Sequence, residues 1–418
     1  MHSPSCASIG IASQRHKSGA RYVLRAITTV TLAVILAAGS VPLRASAAVL
    51  PTDTVDGRSA TTLGAARTAL PDVGLKAGVL VDSEGRVLWA RQADSKRAMA
   101  SLTKLMTAVI AVENSSLTET VKVTSAATKV GESTSFLRTG DRLPMQEMLE
   151  ALLVKSGNDA AMAIALHVAG TPEAFVARMN AKAAELGLTN THFTNAHGLD
   201  GPGHYTSARD LAVLARYAMS KPAIRSIVGM KQVTIGTGKR KETLPSTNVL
   251  LGNYQGISGI KTGYTGDAGY CVIESADRND VGLYAVVLGT ATESARFRDA
   301  RELLDWGFAH YRPQSLVTSG SVLAEAPVSD YLDVTVPAVV SADTTVAVLD
   351  LNGPIKRTVT VAPVRAPVKA GQHVGVVTFT QAGRLIASVP LVSSVDVNRP
   401  NPFLRVWIAI VRAWQAVF

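Results

Sequence analysis

The sequence predicts an α+β domain of enzyme size followed by a small all-β domain, and three observations carry that expectation. Residues 75–81 and 87–92 flank the turn Asp82-Ser-Glu-Gly85, while residues 269–275 and 281–289 flank residues 277–280, so two β-hairpins open and close the first part. Between them lies a mostly helical block, from Ser101 to about Ser220. From about Gln314 the chain changes to short Val/Thr-rich segments, 331–336, 345–349, 357–361 and 374–379, separated by Pro and Gly. The first part therefore reads as a sheet packed with helices plus a helical insertion, with a site between the two.

Residues 1–47 hold Arg15, Lys17, Arg21, Arg25 and Arg44 with no acidic residue, the apolar run 26–38, and the small-residue end Ala45-Ser46-Ala47. That is the pattern of a secretory signal peptide. Its removal takes five basic residues from a formal net charge of +10 and leaves +5, a mild bias towards anionic wall polymers or lipids. No basic run alternates with aromatics, so nucleic acid is not an expected partner. Residues 48–71 read as a linker and 72–313 as the enzyme domain. Of the two cysteines, Cys6 leaves with the signal peptide, so Cys271 has no partner for an internal disulfide and is expected to be buried in a strand. Residues 290–293, Thr-Ala-Thr-Glu, form a capping box for a last helix through Phe308.

Residues 314–399 form the β-rich domain, which carries no catalytic constellation. After Pro400 and Pro402, residues 403–418 are too short for the roughly 20-residue helix that spans a bilayer. Arg405, Arg412 and Gln415 share a helical face, and Trp407, Ile408, Ile410, Val411, Trp414 and Phe418 fill the remainder. Residues 400–418 are expected to be an amphipathic helix lying on a membrane surface; the alternative is a helix docked on the protein itself.

Chemistry concentrates in three short motifs: Ser101-Leu-Thr-Lys104, Ser156-Gly-Asn158 and Lys261-Thr-Gly263. A serine hydroxyl needs a neighbouring base, and positions i and i+3 of a helix share a face, so Lys104 is placed beside Ser101. To act as that base the lysine must be neutral. Desolvation, the positive end of a helix dipole, and a second lysine nearby, Lys261, could each lower its pKa. A second Ser-x-x-Lys, Ser258 to Lys261, lies in a strand-like run where i and i+3 point to opposite sides and cannot form the same dyad. Ser-x-Asn is also duplicated. Ser156 to Asn158 reads as a tight turn between two apolar helices with Gly157 relieving strain, whereas Ser246 to Asn248, after Pro245, reads as an ordinary turn. His192, His197 and His204 fall in a Gly/Asn/Thr-rich stretch rather than on one helical face, so they read as turn residues, and no metal or cofactor is expected.

Longer stretches around these motifs are Arg97-Ala-Met-Ala-Ser-Leu-Thr-Lys-Leu-Met-Thr107, Lys155-Ser-Gly-Asn-Asp-Ala160, Asn195-Ala-His-Gly-Leu-Asp200 with His204-Tyr-Thr-Ser-Ala-Arg-Asp210, and Gly259-Ile-Lys-Thr-Gly-Tyr-Thr265. They resemble the D-alanyl-D-alanine carboxypeptidases, the low-molecular-mass penicillin-binding proteins, strongly over residues 72 to about 312. The resemblance implies a β-lactamase/transpeptidase-like catalytic fold that removes the terminal D-alanine from peptidoglycan stem pentapeptides and takes β-lactams as covalent inhibitors. Ser101 would be the nucleophile, Lys104 its base, and Ser156 the proton relay to the leaving amine. Asn158 would hydrogen-bond the acyl-side amide, and Lys261 with Thr262 would recognise the terminal carboxylate. The backbone N–H groups of Ser101 and Tyr264 would form the oxyanion hole. Several relatives have histidine where Tyr264 stands, which bears on substrate preference.

Two alternatives stay open: a class A-like β-lactamase, and a penicillin-binding wall protein with little turnover. The first needs a glutamate after the middle motif to activate the deacylating water, and residues 188–196 contain none.

Overall fold

A computed structural model describes residues 53–59, 70–237 and 240–417. The signal-peptide reading of residues 1–47 lies outside the described residues. In chain order the first part runs β1 (Asp53–Val55), β2 (Arg58–Ser59), β3 (Ala77–Asp82), β4 (Val87–Arg91), a 3-10 turn (Ala100–Thr103), α1 (Lys104–Asn114), β5 (Thr120–Lys122) and α2 (Ser125–Thr128). It continues with β6 (Arg142–Pro144), α3 (Met145–Leu153), α4 (Asn158–Ala169), α5 (Pro172–Glu185), α6 (Ala208–Met219) and α7 (Pro222–Val228). Then come β7 (Gln232–Thr237), β8 (Arg240–Pro245), β9 (Ile257–Thr265), β10 (Gly269–Arg278), β11 (Val281–Thr290) and α8 (Glu293–His310).

Seven antiparallel strands form the central sheet in the order β2-β1-β4-β3-β11-β10-β9. Every residue of β3 is buried, because both faces of the sheet are covered. One face meets the helical block: Val79, Ile273 and Val286 pack with Leu105 and Val109 of α1, Leu152 of α3 and Leu211 of α6. The other meets α8 through Leu80, Leu283 and Val287 against Leu303 and Leu304. Helix α1 has no polar face: it buries every residue from Lys104 to Ala111, as its run of apolar residues predicts. At the rim, α5 buries only Phe175, Met179 and Ala183, a narrow stripe at i, i+4, i+8.

Two local expectations need correction, and one hairpin is new. Residues 53–59, read as part of the linker, are the last two strands at one end of the sheet. Asp56 and Gly57 both take positive φ (48° and 75°), the type I′ geometry that joins two twisted strands. Arg91 grips Asp53 with two bonds of 2.7 Å, both side chains buried, and fixes β1 against β4. The cap of α8 is Thr292, whose hydroxyl accepts from Ala295 N at 3.1 Å, two residues after the expected capping box. Residues 232–245 form the hairpin β7–β8, which has no strong strand signal.

The β-rich part follows α8 without a spacer: β12 (Tyr311–Val317), β13 (Val322–Pro327), β14 (Thr335–Val340), β15 (Thr344–Leu349), β16 (Ile355–Val361), β17 (His373–Gln381) and β18 (Arg384–Ser393). Strands β13-β14-β18-β17-β16 make one antiparallel sheet, and β12 pairs with β15. Val336, Val377, Phe379 and Leu391 form its core. It is tied to the first part through Asp56, which accepts from Arg86 (3.2 Å), Arg384 (3.1 Å) and Asn352 (2.9 Å), and through Tyr311, whose hydroxyl donates to Asp82 at 2.8 Å.

The chain ends in α9 (Pro402–Gln415), capped by Asn401, whose side chain accepts from Leu404 N at 2.8 Å. One side docks: Ile408 is buried and Arg412 donates to the carbonyl of Tyr331 at 3.0 Å. An adjacent stripe, Phe403, Val406, Trp407, Ile410, Trp414 and Val417, faces outward and is exposed. No single described helix is long and apolar enough to cross a membrane.

Candidate active site

The nucleophile turn is strained. Ala100 has φ 49°, and this kink presents Ser101 at the start of the helical segment while Met99, Ala100 and Leu102 anchor it in the core. Two glycines let neighbouring backbone close on it. A Cβ on Gly198 (φ 94°) would lie 2.0 Å from the carbonyl oxygen of Ala100, and one on Gly263 would lie 3.1 Å from the Ser101 nitrogen. Strand β9 therefore runs directly past Ser101.

Lys104 sits one turn on, fully buried. Its Nζ lies 2.7 Å from Ser101 Oγ, 2.6 Å from Asn158 Oδ1 and 2.7 Å from the carbonyl oxygen of His197. The last two can only accept, so they take two N–H bonds and leave the third position of Nζ towards Ser101. In the neutral amine that position is a lone pair, ready to accept the hydroxyl proton. Burial lowers the lysine pKa to about 7, against the opposing charges of Asp159 and Glu132. The expected help from Lys261 is not among these causes. Lys261 is itself buried and driven far below its ordinary value by desolvation first, with the charges of Lys104 and Arg296 adding to it. Of the three effects considered, desolvation dominates.

Asn158 opens α4 and is 2% exposed. Its oxygen is engaged by Lys104, and its amide donates to the carbonyl of Gly131 at 2.8 Å. Asp159 organises the covering loop, accepting from Thr134 (2.7 Å), Ser135 N (3.0 Å) and Leu137 N (3.1 Å). Ser156 carries the left-handed conformation of the turn, φ 68°, whereas Gly157 has φ −63°. The expectation that Gly157 relieves strain is thus corrected. It is glycine for space, because a Cβ would meet Ser135 Oγ at 2.2 Å and Asp159 Oδ1 at 2.6 Å.

A cavity of about 520 Å³ collects Ser101, Ser156, Thr262, Tyr264, Tyr270 and Arg296. Tyr264 is half exposed and stacks on Tyr270 with ring centroids 4.3 Å apart. Lys104, Asn158 and Lys261 lie behind this wall. Lys261 donates to the carbonyl of Thr262 at 2.9 Å.

Arg296 and Thr247 are among the cavity residues that the sequence did not point to. Arg296, in the first turn of α8, is 4% exposed; it donates to the carbonyl of Gly263 (3.2 Å) and to Glu293 (2.6 Å), while its Nε is buried without a partner among the described residues. The only sequence signal was an arginine three residues after Glu293. Thr247 belongs to the Ser-x-Asn copy read as an ordinary turn, yet its hydroxyl lies 2.6 Å from that of Thr262.

The histidines are structural, and among the described residues no group of three His, Cys, Asp or Glu could hold a metal ion. His204 Nδ1 accepts from Thr194 N (3.0 Å), so Nε2 donates to Thr103 (2.8 Å), which donates to the carbonyl of Ala100 (2.8 Å). This chain braces the nucleophile turn. Burial lowers both His197 and His204 to about 4, which keeps them uncharged at neutral pH. Cys271 is buried, and burial raises its thiol to about 11, so it is inert.

Comparison with known proteins identifies the family. Residues 65–292 match the peptidase family S11, D-alanyl-D-alanine carboxypeptidase, and residues 311–399 match the penicillin-binding protein 5 C-terminal domain. The D-alanyl-D-alanine carboxypeptidase DacC of Escherichia coli (strain K12) is 34% identical over 365 residues, covering 83% of this chain and 90% of the relative. DacF of Bacillus subtilis (strain 168) is 32% identical over 335 residues, covering 78% and 86%. The crystal structure of penicillin binding protein 5 from Haemophilus influenzae superposes with a TM-score of 0.60 at 30% identity, covering 79% of this chain and 99% of that one. The chain belongs to the D-alanyl-D-alanine carboxypeptidase family of serine peptidases, a hydrolase with a β-lactamase/transpeptidase-like catalytic domain followed by the all-β domain of penicillin-binding protein 5.

Proposed function

We propose that this enzyme removes the terminal D-alanine from peptidoglycan stem pentapeptides through an acyl-enzyme on Ser101. Ser101 Oγ attacks the carbonyl of the penultimate D-alanine while Lys104 takes the hydroxyl proton. The oxyanion is held by the backbone N–H groups of Ser101 and Tyr264. As the peptide C–N bond breaks, the proton passes by way of Ser156 to the departing amine, and D-alanine leaves. Water, deprotonated by Lys104, then hydrolyses the ester and restores Ser101. Asn158 keeps Lys104 aligned and shapes the acyl side. Thr262, with Lys261 behind it and Arg296 bound to the adjacent Gly263 carbonyl, holds the substrate's free carboxylate.

The observation that carries the reading is the placement of Lys104 Nζ, with two N–H bonds committed to pure acceptors and its third position on Ser101. The test is D-alanine release from a stem pentapeptide together with covalent labelling by a fluorescent penicillin. Ser101→Ala should abolish both, and a labelled Ser101→Ala protein would place the nucleophile elsewhere.

β-Lactams present a strained amide to the same serine, and their leaving group stays tethered, so acylation is expected to outlast turnover. Two carboxylates do line the cavity. Glu293 is engaged by Arg296, while Glu132 is exposed. A β-lactamase reading would require rapid, Glu132-dependent hydrolysis of a chromogenic cephalosporin. The basic, apolar, small-residue start of the chain supports export, and the outward apolar stripe of α9 supports a peripheral seat on the outer face of the cytoplasmic membrane, facing the wall.

A further inference from the structure

The second Ser-x-Asn copy, Ser246 to Asn248, leads to a residue that the mechanism does not use. Its turn is held at three points. Ser246 N donates to the carbonyl of Lys231 (2.8 Å), Thr247 N to that of Val154 (3.2 Å), and Asn248 N to Ser246 Oγ (3.1 Å). Asn248 then works in both directions, its Oδ1 accepting from Leu250 N at 3.0 Å and its Nδ2 donating to Glu274 Oε2 at 2.7 Å.

Glu274 is out of place for a structural residue. It sits in the middle of β10, is 0% exposed, and is preceded by Val272 and Ile273, which belong to the two cores. No cation pairs with it among the described residues, and its Oε1 is buried without a partner. An apolar side chain would fill that space without the cost of desolvating a carboxyl group. Burial pushes its pKa well above the usual carboxylate range, against the hydrogen bond from Asn248 and the charge of Arg296. Alternation along β10 puts Glu274 on the side of Val272, which pairs across the sheet with Thr262.

We propose that Glu274 is a positioning residue for recognition of the substrate carboxylate: by holding Asn248 it fixes the 246–248 turn, and so fixes the hydroxyl contact between Thr247 and Thr262. In that 2.6 Å contact one hydroxyl must donate to the other. When Thr247 donates, the Thr262 proton is left to point into the cavity, where an anionic carboxylate accepts it. The proposal rests on the reading that Thr262 meets the free carboxylate.

The experiment compares kcat and KM for an acyl-D-Ala-D-Ala peptide as free acid and as C-terminal amide, in full-length wild type, Glu274→Leu, Glu274→Gln and Asn248→Ala, with thermal unfolding alongside. Glu274→Leu keeps the volume but removes the acceptor. Asn248→Ala breaks the same link from the turn. Both are expected to raise KM for the free acid roughly tenfold, as for loss of a charge-assisted hydrogen bond, with kcat and the amide little changed. Glu274→Gln keeps a carbonyl oxygen on Asn248 without a charge and should restore wild-type preference. A wild-type preference for the free acid that survives both Glu274→Leu and Asn248→Ala overturns the proposal alone. So does an equal fall in kcat on both substrates, which marks a merely structural role. A wild type that treats acid and amide alike overturns the carboxylate reading and the proposal with it.

Discussion

The chain contains the pattern Ser-x-x-Lys twice, and both lysines, Lys104 and Lys261, are buried beside the same cavity. Their geometry separates them. Lys104 follows Ser101 by one helical turn, which sets its Nζ 2.7 Å from the hydroxyl. Lys261 follows Ser258 along β9, where three residues carry a side chain to the opposite face, so Ser258 pairs with Ser275 at 2.7 Å while Lys261 reaches the carbonyl of Thr262. Burial lowers both pKa values, but only one amine has a hydroxyl in front of it. A perturbed lysine becomes a base through what the backbone places beside it.

The largest effect that could break this comparison is Lys104→Ala, expected to slow acylation by about 10² to 10⁴ while the fold survives, since general-base help is of that order. Stopped-flow labelling with a fluorescent penicillin measures it, and a near-normal rate at neutral pH would remove Lys104 from the mechanism. Lys261→Met, which keeps the volume, should cost less and selectively: about 1.5 to 3 kcal/mol for peptides with a free terminal carboxylate, and little for their amides. Equal losses on both substrates would give Lys261 a role in the chemistry rather than in recognition.

The smallest effect on catalysis concerns the two sides of α9. Trp407→Glu with Trp414→Glu, on the exposed stripe, should abolish flotation with anionic liposomes and leave soluble-peptide hydrolysis unchanged. Arg412→Ala, on the docked side, should leave flotation intact and lower the melting temperature slightly. The opposite pattern would make the docked face the lipid-binding one.

What was legible in the sequence is what repeats locally. Ser101 and Lys104 fall on one face of a helix without a polar side, Asn158 opens a further apolar helix, and the hairpins around residues 82–85 and 277–280 are apolar runs bounded by turn residues. What was not legible depends on segments far apart in the chain. Arg296 reaches the cavity only because α8 packs on β10 and β11, and Thr247 only because its turn abuts β9. Glu274 reads as a polar residue in a strand, and nothing local says that it is buried. Strands β1 and β2, three and two residues long, are too short for alternation to register, although Asp56-Gly57 was a usable turn signal. Gly157 shows the converse error: a glycine in a tight turn invites a backbone explanation, yet the structure assigns the positive φ to Ser156 and the steric need to Gly157.

The central claim is that Ser101 is activated by a lysine held neutral through burial, and the pH dependence of penicillin acylation tests it most directly. Lys104 must lose its proton before it can accept one, so the acylation rate should rise with pH through a single ionisation near 7 and level off above it. Lys104→Ala should lower the rate and abolish the inflection. A wild-type rate that stays flat across neutral pH, or an inflection that persists in Lys104→Ala, would contradict the claim.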